Sequence, residues 1–514
     1  LEDWGQPVPV EGFSQTGIVD MLPDLVSDWE PWLESGFVYD AERGIPRELG
    51  NLSTSSPPIV VNGVIIVGNV HEQGYYQTRT ENIPGDVLAY DAATGEFLWK
   101  FHVIPRPGEF GHDTWENDAW RRTGDVSSWA PMSADPERGL VYVPTNPPTV
   151  DFYGGFRPGD NLFGTSIIAL DVQTGERRWH FQTVHHDIWN FDNPGAPILL
   201  DVNVDGRDIP IAVETTKQGF VFTFDRETGE PVWPIEERPV PQSDVPGEQL
   251  SPTQPFPTKP AAFELQGLTE DDLIDFTPEL RAEAVEILKD YRIGPLFNPP
   301  IQLGHPSGLR SFVSCPSGAS NIFGPPSADP ETGMLYVPTL RGCRSENIVP
   351  GVEIDEPESI MTTGETISDF AVLNRGDFRG RGPQGLPILK PPYSQIVAID
   401  MNTGEHAWAI PNGDTPQRIR NHPALAGLDI PPTGVPSHPI TLVTSTLLVT
   451  AEGGAGEPVL HAVDKATGER LGTIELPAPG RYGMMSYMHD GAQYIVVQVS
   501  SADHPGALAA LRLP

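Results

Sequence analysis

A six-residue pattern, Asp-x-x-Thr-Gly-Glu, occurs five times in this chain, each time after four mostly apolar residues. An apolar run of that length suits a strand buried between neighbouring sheets. The Asp can accept hydrogen bonds from the backbone amides that follow it, and the Gly tolerates a positive φ. Because strand and tight turn recur together, the repeat predicts an all-β architecture built from copies of one unit. The copies begin at Asp91, Asp171, Asp225, Asp400 and Asp464.

A tryptophan follows the Asp by eight residues in four of the five copies, and Gly472 takes its place in the fifth. We expect each tryptophan to pack against the next repeat. A second hairpin pattern, at residues 135–144 and again at 329–338, would supply the inner strands of a blade. Repeats of this size with inserted loops indicate a β-propeller. The tryptophans are Trp99, Trp179, Trp233 and Trp408.

The long gap between the third and fourth copies predicts at least one further blade that lacks its Trp, built around residues 329–338. It also predicts a rim insertion around residues 240–300. Within the gap, the pattern at 268–292 predicts one short inserted helix with Thr277 as its N-cap, and the Pro-rich stretch 231–260 predicts an extended surface loop. We expect residues 1–514 to form a single propeller domain.

The amino-acid composition indicates many turns, and the net charge argues against nucleic acids and anionic membranes as partners. The chain has 52 Gly and 56 Pro, and its 70 acidic and 32 basic residues give a net charge of −38. Such a surface repels nucleic acids and anionic membranes, and it fits either solubility or a cationic partner such as a basic cytochrome. No apolar run is long enough for a membrane span, and no CxxCH motif would attach a haem. The two cysteines, Cys315 and Cys343, could form a disulfide or remain as thiols.

Three features resemble the pyrroloquinoline quinone (PQQ)-dependent quinoprotein dehydrogenases. The turn with its tryptophan is similar to their tryptophan-docking motif. Arg-Pro-Gly-Asp-Asn at 157–161 precedes the second repeat, and His-His-Asp-Ile-Trp-Asn-Phe-Asp follows it at 185–192. Residues 400–423 also resemble the soluble and glucose/quinate-type members, which have no haem domain. The resemblance covers nearly the whole chain from about residue 55. It implies an eight-bladed propeller that holds PQQ with Ca²⁺ or a lanthanide.

The resemblance also implies oxidation of an alcohol, polyol or sugar hydroxyl, with electrons passed to an external cytochrome or quinone. About six blades can be counted, and residues before about 55 show no clean repeat. Either the first blades are degenerate or an N-terminal portion is missing. Since the chain starts at Leu1 rather than at Met, we expect a trimmed, periplasmic or secreted protein.

The resemblance assigns metal ligands by position. Asn161 matches the family's amide ligand, and an amide oxygen suits a hard cation such as Ca²⁺. The family's carboxylate ligand lies in the loop before the first clear repeat, where Glu72 fits better than Glu81. His71, beside it, is a candidate cofactor contact.

Cofactor contacts follow in the same way. Lys217 matches the Lys or Arg that faces the quinone, where a cation would stabilise charge that develops on the quinone oxygen. Trp129 and Asn321 fall where the family contacts the cofactor plane.

One position departs from the family pattern. The residue after the Trp of the 185–192 segment is the family's proposed general base, and here it is Asn190, whose neutral amide cannot accept a proton. Asp192 lies on the same face if the segment is extended, so it could be the base, a metal ligand, or both. Further candidates for the base are His185, His186 and Asp187.

Two other functions remain open. The chain could be a non-catalytic propeller that serves as an assembly scaffold, or a sugar-binding propeller without redox chemistry. A scaffold would have no reason to keep Asn161, Lys217 and the acid-rich 185–192 segment together, so we favour the dehydrogenase.

Overall fold

The computed structural model describes residues 18–38, 49–50, 56–69, 78–352, 364–375 and 381–512. Helices are few and short within these residues. The α-helices are α1 (Leu22–Val26), α2 (Glu30–Ser35), α3 (Pro278–Leu288) and α4 (Gln417–Arg420). Single 3₁₀ turns lie at His112–Thr114, Ala119–Arg121, Glu270–Asp272, Pro383–Gly385 and Pro423–Leu425.

Strands make up most of the regular structure. In the first half of the chain they are β1 (Ile59–Val61), β2 (Val64–Val67), β3 (Val87–Asp91), β4 (Phe97–Phe101), β5 (Ser133–Asp135), β6 (Leu140–Pro144), β7 (Ser166–Asp171), β8 (Arg177–Gln182), β9 (Ile198–Val204), β10 (Arg207–Thr215), β11 (Val221–Asp225), β12 (Ile235–Pro239) and β13 (Thr253–Pro257). In the second half they are β14 (Tyr291–Arg292), β15 (Ser311–Ser314), β16 (Ser327–Asp329), β17 (Met334–Leu340), β18 (Arg344–Pro350), β19 (Phe370–Arg375), β20 (Ser394–Asp400), β21 (Glu405–Pro411), β22 (Ile440–Val443), β23 (Leu447–Ala451), β24 (Val459–Asp464), β25 (Arg470–Glu475), β26 (Gly480–His489), β27 (Ala492–Val499) and β28 (Ala507–Arg512).

Six antiparallel sheets of three or four strands follow one another through the described part of the chain. They are β1–β4, β5–β8, β9–β11, β16-β17-β20-β21, β22–β25 and β26–β28. The first strand of each sheet contacts the first strand of the next, from β1 to β5, β9, β16, β22 and β26. Sheets that meet through their innermost strands form a β-propeller. The all-β propeller fold is confirmed. The described residues form six blades, which matches the count of about six made from the sequence, and the eight blades implied by the resemblance stay a prediction.

The repeated turn forms as expected. Oδ1 of Asp91 accepts a hydrogen bond from the backbone N–H of Thr94 at 2.8 Å, which fixes the turn between β3 and β4. Trp99 then packs on the next blade, where its indole N–H donates to the carbonyl oxygen of Val172 at 3.0 Å. A Cβ at Gly175 would lie 2.6 Å from the Trp99 ring, so this turn must have a residue without a side chain.

The same contact recurs around the ring. A Cβ added to the turn glycine of the following blade would lie within 2.6–3.0 Å of the preceding tryptophan. The expectation that each tryptophan packs on the next repeat is therefore confirmed. The further pairs are Trp179 with Gly229, Trp233 with Gly404, and Trp408 with Gly468.

The prediction of a separate blade around residues 329–338 is wrong. These residues form β16 and β17, and β17 pairs with β20 through Tyr336 and Ala398. They are therefore the inner half of the blade that carries the fourth repeat and Trp408. The sequence obscured this pairing because β18 and β19, which belong to another sheet, lie between β17 and β20 in the chain.

The insertion predicted around residues 240–300 forms structure of its own. The Pro-rich stretch, predicted as an extended loop, pairs as the β12–β13 hairpin. Helix α3 forms where expected, since the Thr277 side chain accepts the Leu280 amide N–H at 3.2 Å, but it ends at Leu288. Downstream, β14, β15, β18 and β19 build an additional sheet, and Cys315 and Cys343 form a disulfide beside it.

Candidate functional site

A cleft of about 220 Å³, lined by both polar and apolar side chains, lies at one face of the propeller. Its residues either precede the innermost strand of a blade, as Trp129, Asp192 and Asn321 do, or join a second strand to a third, as Lys217 does. In an antiparallel blade these two kinds of connection emerge at the same end. The main cleft, as we call it, is lined by Trp129, Asn190, Phe191, Asp192, Lys217, Ser317, Gly318, Asn321, Ile322, Phe323 and Arg344.

Asp192 and Lys217 form the polar centre of the main cleft. Nζ of Lys217 lies 2.8 Å from Oδ2 of Asp192, and the two side chains are 11% and 2% exposed. The indole N–H of Trp129 donates to the same oxygen at 3.0 Å, and the Lys217 ammonium lies 5.8 Å from the centre of that ring. The other oxygen, Oδ1, is buried and has no hydrogen-bond partner among the described residues. One carboxylate oxygen is thus fixed and the other remains able to accept.

Asn190 acts in this structure as a bridge between two charged groups. Its Oδ1 accepts from Nζ of Lys217 at 2.9 Å, and its backbone carbonyl accepts from the same ammonium at 3.2 Å. Its Nδ2 donates to Oδ2 of Asp151 at 2.9 Å. Because the amide has one donor side and one acceptor side, Asp151 and Lys217 together determine its orientation.

Sequence reasoning missed Asp151 and Arg344. Asp151 belongs to no repeat, and only its contact with Asn190 identifies it. Arg344 lines the main cleft, donates to the Trp189 carbonyl oxygen at 3.0 Å and stacks 5.1 Å from the Phe152 ring. In the sequence, only its position next to Cys343 could have pointed to Arg344 as a residue of interest.

Asn161, predicted as a metal ligand, does not line the main cleft. Its Oδ1 accepts from Nη1 of the fully buried Arg157 at 2.7 Å, and its Nδ2 donates to the Arg157 carbonyl oxygen. Arg157 also donates to the Asp187 carbonyl oxygen at 2.9 Å. In this arrangement the Asn161 oxygen is bound to a guanidinium, which would repel a metal cation placed beside it.

Glu81 and Glu72 are the two carboxylates proposed as further metal ligands, and the structure describes only Glu81. Glu81 is buried away from the main cleft, where it accepts hydrogen bonds from the backbone N–H groups of Glu365 and Thr366 and from the Thr366 hydroxyl. Glu72 and its neighbour His71 lie outside the described residues.

The remaining candidates for a base hold the chain in place beside the main cleft. Asp187 accepts from Thr165 and from two backbone N–H groups, and burial raises its pKa. His186 contacts Oε1 of Glu248 at 2.9 Å, with both side chains 1% exposed. Burial favours a raised pKa for Glu248, but the hydrogen bond and charge of His186 outweigh it and lower the pKa. His185 contacts Gln182 and Glu237.

Fold and cleft together define a β-propeller with a polar site at the face where its innermost strands begin. Residues 4–495 match the model of a protein family described as glucose/ethanol/alcohol dehydrogenase, β-propeller domain, under the heading PQQ. The chain therefore belongs to this PQQ-dependent dehydrogenase family, and the resemblance seen in the sequence is confirmed.

Individual relatives agree with the family. The chain is 32% identical to the glycerol dehydrogenase large subunit of Gluconobacter oxydans, over 94% of this chain and 66% of that protein. It is 31% identical to a quinoprotein glucose dehydrogenase of Escherichia coli, over 87% of this chain and 55% of that protein. The chain thus spans less than two thirds of the curated relatives it matches.

A solved structure supports the fold. The quinohemoprotein alcohol dehydrogenase of Pseudomonas putida superimposes with a TM-score of 0.57 and 21% identity, over 88% of this chain and 56% of that chain. Among the described residues, no helix is long and apolar enough to cross a membrane.

Proposed function

We propose that this protein is a PQQ-dependent dehydrogenase that oxidises the hydroxyl of an alcohol, polyol or sugar. The observation that carries the proposal is the group formed by Asp192, Lys217 and Trp129. A carboxylate, an ammonium and an indole ring converge at one end of the propeller, and one carboxylate oxygen of Asp192 has no partner in the described part of the chain.

The residues of the main cleft suit the quinone cofactor. Trp129 offers a ring surface, and Lys217 and Arg344 offer cations to a molecule that carries carbonyl and carboxylate oxygens. Asn321 adds an amide at the same wall. When bound, PQQ supplies the quinone that accepts hydride from the substrate carbon.

Asp192 is our choice for the general base. Its Oδ2 is held by Lys217 and Trp129, so the orientation of the carboxylate is fixed before substrate binds. Its Oδ1 can accept the hydroxyl proton as the carbon is oxidised. Lys217 serves two purposes, because it orients this carboxylate and stabilises negative charge in the cleft. Asn190 orients Lys217 and takes no proton itself.

The described residues do not assemble a shell for the predicted Ca²⁺ or lanthanide ion. Such ions bind six or more oxygens, whereas the described residues of the main cleft present one carboxylate oxygen, from Asp192, without a hydrogen-bond partner. Asn161 and Glu81 have other partners. We therefore assign no step to a metal, and the metal remains a prediction from the family.

We also propose an electron acceptor and a cellular compartment for this protein. Electrons would leave to an external cytochrome or quinone. A periplasmic or secreted location fits the Cys315–Cys343 disulfide, because disulfides persist in oxidising compartments.

The test is a dye-linked assay with PQQ added to the purified chain, with and without Ca²⁺ or La³⁺, against alcohols, polyols and sugars. PQQ binding is followed in parallel by its absorbance. Activity that requires PQQ supports the dehydrogenase. Failure to bind PQQ under every metal condition would contradict it and favour the scaffold.

A further inference from the structure

A second groove, of about 610 Å³, opens at the same face of the propeller as the main cleft. Its segments join β17 to β18, precede β20, and join β21 to β22, and in an antiparallel blade these connections emerge at one end. The arginine groove, as we call it, is lined by residues 340–343 and 385–389 with Arg381, Tyr393, Arg418 and Pro436.

The charge of the arginine groove is opposite to that of the chain. Three arginines line it, and none of the described residues that line it is acidic, although acidic residues outnumber basic ones by 70 to 32. Arg341 is paired with the buried Glu264 at 2.7 Å. Arg381 and Arg418 are exposed and form no ion pair with any described residue. Two cations are thus left to face solvent in a strongly acidic protein.

Two carboxylates near the groove have other cationic partners. Asp414 pairs with Arg420, six residues along the chain, at 2.6 Å, and Asp275 pairs with Lys390 at 3.0 Å. Neither of these two acids therefore neutralises Arg381 or Arg418, and the positive potential of the two arginines acts on the groove.

An independent observation at the same place is the hydroxyl of Tyr393. The side chain lines the groove and is 2% exposed, and its hydroxyl has no hydrogen-bond partner among the described residues. A buried hydroxyl without a partner is uncommon in folded proteins, because an unmet hydrogen bond is unfavourable there. A ligand oxygen would satisfy it.

The floor of the groove indicates an organic ligand. Leu386, Ile388 and Leu389 are buried side chains along it, and they suit a carbon skeleton better than a fully hydrated inorganic ion. Guanidinium groups bind carboxylates through paired N–H donors. We propose that the arginine groove binds a small organic anion with two or more carboxylate groups, held by Arg381 and Arg418 and by the Tyr393 hydroxyl.

This site is distinct from the main cleft, although the two share a wall. Gly342 and Cys343 line the groove, while Arg344 lines the main cleft, and the Ser317 amide donates to the Gly342 carbonyl oxygen at 2.9 Å. The proposal does not depend on dehydrogenase activity, since the anion binds without PQQ.

The test is calorimetric titration of citrate into the whole chain, without PQQ and at constant ionic strength set with chloride. Acetate is the monocarboxylate comparison. We expect saturable binding of one citrate and at least 10-fold weaker binding of acetate. The double variant Arg381→Ala/Arg418→Ala should bind citrate at least 10-fold more weakly, and Tyr393→Phe several-fold more weakly. The matched control is Arg207→Ala, which removes an exposed arginine of β10 that forms no ion pair with a described residue.

Wild-type affinity in Arg207→Ala, with the loss confined to the groove variants, supports the site. Three results would overturn it: no saturable binding of citrate to the wild-type protein, unchanged affinity in the double variant, or an equal loss in Arg207→Ala. The last result would mean that citrate responds to overall charge. Because Arg381 and Arg418 are both exposed, their removal should leave the thermal unfolding midpoint unchanged. An unchanged midpoint would show that the double variant is folded.

Discussion

The ammonium of Lys217 lies 2.8 Å from Oδ2 of Asp192, and the second oxygen of that carboxylate has no hydrogen-bond partner among the described residues. A buried carboxylate usually uses both oxygens, because an unmet acceptor is unfavourable in a low-dielectric interior. Here one oxygen is held and the other can receive a proton. This asymmetry is the basis of the first prediction.

Asp192→Asn should abolish most of the proposed turnover while PQQ still binds. The amide has nearly the same shape but cannot act as a base, so we expect kcat to fall by about 10²–10⁴-fold. The measurement is dye-linked activity, with PQQ affinity followed by absorbance. Asp205→Asn, at the exposed β9–β10 turn, is the control. A kcat within threefold of wild type would exclude Asp192 as the base.

Asp151 should matter through Asn190 and not through its charge. Its Oδ2 accepts from Nδ2 of Asn190, which turns Oδ1 of that amide toward Lys217. We expect Asp151→Ala to lower kcat by about 5–10-fold with little change in KM, since a misplaced amide affects the orientation of Lys217. Asp151→Asn keeps an acceptor oxygen, so it should recover most of that loss. If both variants lose activity equally, the negative charge is the important property.

The local parts of this fold could be predicted from the sequence, and the non-local parts could not. The turn at Asp91 forms because a side chain and a backbone amide three residues apart meet, and that spacing is visible in the sequence. The partner of residues 329–338 was misassigned because β17 pairs with a strand about 60 residues away. Pairing at such a distance depends on the order of blades, which no local pattern records.

In the candidate site, too, some residues could be predicted from the sequence and others could not. Asp192 ends the recognisable 185–192 segment and Lys217 precedes the third repeat, and the structure brings both together with Trp129 and Asn321. Asp151 lies in a loop without a pattern, so only the folded chain reveals its contact with Asn190. Asn161 carries the expected motif, yet its oxygen is taken by Arg157, a partner that motif matching does not consider.

The contact between Trp99 and Gly175 should be visible in stability. Gly175 has φ +71° and its Cβ would lie 2.6 Å from the ring, whereas Gly206 has φ +79° with nothing within 4 Å of its Cβ. Gly175→Ala and Gly206→Ala therefore share the backbone strain, of about 1 kcal/mol, and differ in the clash. We expect Gly175→Ala to lower the free energy of unfolding by a further ~1–3 kcal/mol in denaturant titrations. Equal losses in the two variants would show that the tryptophan moves aside without cost.

His102 should make stability depend on pH on the alkaline side. Its Nε2 lies 2.7 Å from Asp28 and its Nδ1 lies 2.8 Å from Glu109, and Asp86 and Lys100 are the other charged groups beside it. Burial favours a lowered pKa, but the hydrogen bonds to the two carboxylates outweigh it and raise the pKa from 6.5 to about 9. A raised pKa in the folded state means that the stabilisation is complete below about pH 6.5 and is lost as the pH rises through about 9.

The size of this effect is limited by solvent. The full pKa shift would correspond to about 3 kcal/mol, but Asp28 and Glu109 are 43% and 44% exposed, so we expect roughly 1–2 kcal/mol. The measurement is the free energy of unfolding of wild type and His102→Gln between pH 6 and 9.5. The difference between them should be largest at pH 6, where His102 is protonated and donates an N–H to each carboxylate. It should shrink toward pH 9.5, where His102 loses one of these protons, whereas Gln is neutral at every pH. His489→Gln, which changes an exposed histidine, should show no such trend. A constant difference across the range would mean that His102 contributes by packing and not by its charge.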